Sequence, residues 1–281
     1  MPIYEQTYRR YEARAPLRTL RFWPITREAL RLILARRAFL GLLLVAWGQF
    51  LFRVIQIYVV TRLPEAGRVL PIDGRMFGQF LGIQTLFTLL LSIFGGAGLI
   101  ANDLRTGAIL VYLSRPLTRR DYVLGKLGVL LALNLSITLV PALTLYLIAL
   151  ALAPGQFAKW ELLWIAPAIV LHALLIALSV SLLVLAVSAL SRSARVAGLG
   201  FVGLFIGLGL VSTVLVKIAD RPEAQVLSLQ DDLRMIGNLL FGIEGRGVTV
   251  PPVYPPIVLA LVAVGCLAVL RSRVRAVEIV T

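Results

Sequence analysis

Six long apolar runs limit what this chain can fold into. They cover about 38–60, 76–100, 124–153, 162–190, 196–216 and 253–270. Runs of about 20 apolar residues are the signature of a membrane-spanning helix. Only 15% of the 281 residues are charged, against roughly 25% in an ordinary soluble domain. The expected fold class is therefore all-α: a polytopic membrane protein with six transmembrane helices over residues 38–270. A 1–37 cytoplasmic and interfacial segment precedes them and a 271–281 cytoplasmic tail follows. The start is too polar, and too far ahead of the first run, to serve as a signal peptide.

The charges orient the spans. Six crossings put both termini on one side. That side holds 19 of the lysines and arginines and the other holds eight, with Arg53 inside the first run. The positive-inside rule places both termini, and the central loop between the second and third runs, in the cytoplasm of a plasma (inner) membrane. The same distribution explains the formal net charge of +14 without nucleic acid as a partner.

Two segments flank the bundle. Residues 25–37 place Leu30, Ile33 and Leu34 at helical spacing among Arg27, Arg31, Arg36 and Arg37. This pattern predicts an interfacial helix with its apolar face at the acyl boundary, and Thr26 is the expected N-cap. Residues 224–241 predict one or two short helices against the opposite interface. The short sixth run relies on the approach through Pro251, Pro252, Pro255 and Pro256. Pro141 predicts a kink in the third run.

Polar residues inside the runs are few. Gln49, Arg53 and Gln56 share a helical face; with Asn134 and His172 they are candidates for a transport path or an interface. Gly203 and Gly207 stand one turn apart, a small-xxx-small spacing that fits a helix-packing or dimer face. Catalytic and metal-binding patterns are absent from the sequence. There is no GxxxxGK[ST], HExxH or GxSxG segment, and Cys266 has no second cysteine to pair with. A carrier driven by protons would place an acid at mid-membrane depth, whereas Asp103 and Glu161 lie at the ends of runs. The chain is expected to be no enzyme and to take its energy from a partner.

The central loop, 101–126, is the candidate for receiving that energy. Its apolar middle, with Leu110 and Leu113, predicts a short helix that Pro116 ends; Arg119, Arg120 and Asp121 follow as charges able to orient a partner. Asp103 is expected near a helix start, where it would receive backbone N–H groups.

Asp103, Gly107, Leu110 with Leu113, Pro116, Arg119, and Gly125 with Lys126 resemble the loop motif of ABC-2 type ABC transporter permeases. That family commonly carries glutamate where Asp103 stands, and threonine or serine where Ala108 stands. The resemblance implies that the loop is a coupling helix docking a separate ABC ATPase subunit, which would bind ATP and Mg; no cofactor is expected on this chain. It also implies a second permease protomer, with a homodimer expected, and export across the cell membrane. The sparse polar groups suggest an amphiphilic or lipid-like cargo. An alternative is a membrane anchor or mechanical transmitter acting on an outer-side protein without moving solute, with 217–252 as its working surface.

Overall fold

The computed structural model describes residues 22–63, 65, 67, 70–108, 117–152, 159–243 and 250–274, with the side chains of 159–162 and 222 left aside. Among these residues there are helices and connecting turns, and no strand. Six helical stretches are long and apolar enough to cross a membrane: Arg37–Arg62, Gly74–Thr106, Arg119–Leu152, Leu163–Leu190, Ala194–Ile218 and Tyr254–Arg273.

In chain order, α1 is Trp23–Leu34, α2 Arg37–Arg62, α3 Gly74–Gly96 and α4 Gly98–Thr106. Then come α5 Arg119–Ile137, α6 Leu139–Leu152 and α7 Lys159–Leu190. The fifth span is α8 Ala194–Val202, a π-helical turn Gly203–Gly207 and α9 Leu208–Ile218. A 3-10 helix, Pro222–Leu227, leads into α10 Leu229–Leu240, and α11 is Tyr254–Arg273.

Helices α3 and α7 form the centre. The second and fourth spans are 61% and 56% buried, while the first and fifth are each 17% buried. The outer spans therefore carry broad apolar faces: Leu44, Leu51 and Ile55 on α2, and Leu199, Leu210 and Val214 along the fifth span, are exposed. Lipid tails are as apolar as leucine, so close contact rather than hydrophobicity holds such helices together. The glycines of α3 supply it. A Cβ at Gly96 would lie 3.0 Å from both Leu130 of α5 and Val184 of α7.

Several helix ends depart from the apolar pattern. The second span continues past residue 100 to Thr106, and the third begins at Arg119 rather than 124. Polar side chains end an apolar run without ending a helix that leaves the bilayer. The third span, where Pro141 predicts a kink, is interrupted at Thr138, between α5 and α6. Proline has no N–H for the Ile137 carbonyl, so the ladder opens one turn before it. Helix α11 starts at Tyr254 with prolines in its first turn, where the missing N–H groups would have had no partner. The predicted short helices before the sixth span are the 3-10 segment and α10. The Ser228 side chain caps α10 by accepting from the Asp231 N–H at 3.2 Å. Helix α10 is inserted against α3, α7 and α11 through Leu229, Leu233 and Ile236.

Thr26 does not cap α1. The helix already starts at Trp23, and Thr26 lies buried inside it. Gly203 and Gly207 do not pack helices within the protomer, because a Cβ on either would meet nothing within 4 Å.

Candidate functional site

The loop between the second and third spans is framed at its base by three side chains. Asp103 projects from α4. Lys126 and Tyr122 are one turn apart on α5, so both reach the same neighbour. The Lys126 ammonium lies 2.7 Å from Asp103 Oδ2. The Tyr122 hydroxyl donates to the same oxygen at 2.8 Å. Lys126 Nζ also sits 5.4 Å from the Tyr122 ring centre, within cation–π range. Tyr122 is fully buried, and the Lys126 and Asp103 side chains are 6% and 17% exposed. A pair so shielded from water orients its partners strongly and is costly to break from one side.

The chain leaves and re-enters this frame at defined points. Gly107, at φ 71° and ψ 8°, ends α4 in the left-handed region, where a side chain adds about 1 kcal/mol or more of strain. On the return side, Thr118 and Asp121 form a capping box that starts α5. The Asp121 N–H donates to Thr118 Oγ1 at 3.2 Å, and Asp121 Oδ2 accepts from the Thr118 N–H at 3.0 Å. Arg119 and Arg120 stand exposed on the first turn. Leu110, Leu113 and Pro116 lie outside the described residues.

The structure corrects one loop assignment and adds a role to another. Asp103 is in the closing turns of α4, not at a helix start, and it receives Lys126 and Tyr122 instead of backbone N–H groups. Asp121, expected as an orienting charge for a partner, closes its own helix cap.

The frame is tied to the rest of the bundle. Helix α1 lies on α5. The Thr26 hydroxyl donates to the Gly125 carbonyl at 2.9 Å, and a Cβ at Gly125 would lie 3.0 Å from Ile25 Cβ. The close approach of α1 thus leaves little room for a side chain at 125. Arg27, Arg31, Arg36 and Arg37 remain exposed. On the other side, Ser188 of α7 is inserted into the α3–α4 junction. Its oxygen accepts from the Ile100 and Ala101 N–H groups at 3.1 and 3.0 Å and donates to the Ala97 carbonyl at 2.8 Å. Sequence reasoning missed Ser188; a lone serine near the end of an apolar run carries no distinguishing pattern.

The polar residues inside the spans do not converge on one site. Arg53 is 7% exposed. It donates to the Gln56 side-chain oxygen at 2.6 Å and to that of Gln79 at 3.3 Å, joining α2 to α3. Gln49 is half-buried on α2, apart from these bonds. Asn134 is fully buried, with Ser92 and Ser181 each 3.1 Å from its amide nitrogen, a node between α3, α5 and α7. His172 is buried against α10, its Nε2 3.1 Å from the Leu233 carbonyl.

Six helical crossings and a short loop braced at its base define a multi-pass helical membrane protein. The model of the ABC-2 family transporter proteins matches residues 17–240, and the chain belongs to that family. Among curated proteins, none matches the sequence. The chain is thus the membrane component of an ABC transporter, not its ATPase, in a family that normally works with an ABC ATPase partner.

Proposed function

We propose that this chain is the permease subunit of an ATP-driven exporter and couples to a separate ATPase through the 101–126 loop. The observation that carries the reading is the closed Asp103–Tyr122–Lys126 frame. It joins the second and third spans where they leave the bilayer, so a push on the loop moves both together. Through Ser188 the fourth span follows as well. ATP-driven closure of the ATPase would deliver that push, with ATP and Mg held on the partner. The basic loop face is cytoplasmic by the positive-inside rule, and the membrane is the plasma membrane.

Two protomers, most simply two copies of this chain, enclose the path. The exposed faces of α2 and the fifth span support this reading, as do the open positions at Gly203 and Gly207. The cargo is an amphiphile, in keeping with the apolar faces left for the path.

Affinity purification of the intact chain from its native membrane in mild detergent tests the proposal. A P-loop ATPase should copurify, and Arg119→Glu with Arg120→Glu should release it. Both arginines are exposed and outside the bracing frame, so their reversal leaves the fold intact. An ATPase equally retained by the variant, or absent from the parent, refutes docking through this loop.

A further inference from the structure

A cleft of about 130 Å³ opens between α3 and α10, on the face opposite the braced loop. Its α3 wall is Gly78 and Gly82, one turn apart and without side chains, with Thr85, whose hydroxyl donates to the Leu81 carbonyl at 3.0 Å. Its α10 wall is Gln230, Arg234 and Asn238, spaced four residues apart and so on one helical face. The His172 ring borders it, held against Gly237, where a Cβ would come within 2.4 Å of Cε1.

Three features of this cleft are chemical, not merely geometric. Arg234 is exposed and has no ion pair among the described residues. A carbonyl can only accept, so His172 Nε2 carries the proton donated to Leu233, and Nδ1 is left as an acceptor. That Nδ1 is buried with no partner among the described residues. The cleft therefore offers a cation and amides for an anion, and a buried acceptor for a hydroxyl or ammonium donor. One turn beyond Gly82 on the same face of α3, Leu86 is an exposed apolar side chain. The cleft has the liquid volume of about four waters, which suits a compact polar group and excludes an acyl chain.

We propose that this cleft binds the headgroup of a phospholipid from the leaflet on that face, with its phosphodiester on Arg234 and its hydroxyl on His172, and its acyl chains leaving past Leu86. Phosphoglycerol has both required groups. Phosphocholine has the phosphate but no O–H or N–H donor. The inference stands apart from the ATPase and from export, since binding needs neither.

The full-length chain in detergent micelles, titrated with phosphatidylglycerol and read by native mass spectrometry, tests it. Arg234→Gln should weaken retention about tenfold, the loss of one charge-assisted phosphate contact. Gly82→Leu should do the same by filling the cleft, because a Cβ there meets nothing within 4 Å and the fold has room for it. Arg221→Gln removes an exposed arginine that does not line the cleft and should leave retention unchanged. Phosphatidylcholine should bind more weakly than phosphatidylglycerol. Retention unaltered by Arg234→Gln and Gly82→Leu overturns the site, as does an equal loss in Arg221→Gln. Equal binding of phosphatidylcholine overturns the donor requirement on which the assignment rests. Glycerol 3-phosphate competing as well as the lipid overturns a membrane source in favour of a soluble phosphate ester.

Discussion

Replacing Lys126 with methionine isolates what the frame contributes. Methionine keeps most of the side-chain volume and removes the ammonium. Asp103 then keeps the Tyr122 hydroxyl but loses its countercharge, at a side chain only 17% exposed. Breaking a buried pair from one side costs about 3–5 kcal/mol. Residual exposure of Asp103 places the expected loss at the lower end, about 3 kcal/mol. Asp103→Asn combined with Lys126→Met removes both charges and leaves no orphaned carboxylate. The double variant should be more stable than the sum of its single variants implies, by at least about 1 kcal/mol, as residues in direct contact are. Unfolding by titration with a denaturing detergent in mixed micelles measures all four proteins on one scale. Strict additivity, or a Lys126→Met variant as stable as the parent, would refute the argument that this pair closes the base of the loop.

Other positions give independent tests. Gly125→Leu should lift α1 from α5, since even a Cβ there lies 3.0 Å from Ile25 Cβ; a cysteine placed at Ile25 should react with a water-soluble maleimide only in that background. Ser188→Ala should destabilise by about 1–3 kcal/mol, because it leaves the Ile100 and Ala101 N–H groups without the oxygen they donate to, and it should raise hydrogen exchange at those two amides. Asp232 is fully buried with neither carboxylate oxygen hydrogen-bonded among the described residues. Burial, followed by the neighbouring Asp231, raises its pKa from 3.8 to about 7. The folded state therefore favours the neutral acid. The stability this confers is present below the unfolded value and is lost as pH rises through about 7. Asp232→Asn should stabilise the protein by roughly 2–4 kcal/mol at pH 8 and make little difference near pH 3.5, measured by the same detergent titration at each pH.

The membrane spans were legible because length and hydropathy report directly on the bilayer. Their ends were not. Asn102, Asp103 and Arg105 close the apolar run, yet backbone hydrogen bonding carries the helix on to Thr106. The loop residues with the greatest structural weight, Asp103, Gly107 and Lys126, are singled out by their resemblance to the ABC-2 permease loop motif. That Asp103 meets Lys126 depends on how the second and third spans are set side by side, which no local pattern encodes. Thr26 shows the same limit: its position suits a cap, but α5 lies near enough to take its hydroxyl instead. Gly203 and Gly207 have the spacing of a packing motif and face open space within the protomer. Small residues permit close approach without requiring it. The cleft beside α10 was invisible in the sequence because its two walls, at 78–82 and 230–238, are brought together only by the insertion of α10 into the bundle.

Photo-crosslinking in native membranes from Arg119 and Arg120, each replaced in turn by a photoreactive residue, tests the coupling account most directly. Gln225, on the opposite face, serves as the control position. The account predicts a covalent adduct with a P-loop ATPase from 119 or 120 and none from 225. An ATPase adduct from 225, or no ATPase adduct from either loop position while the complex is intact, would contradict it.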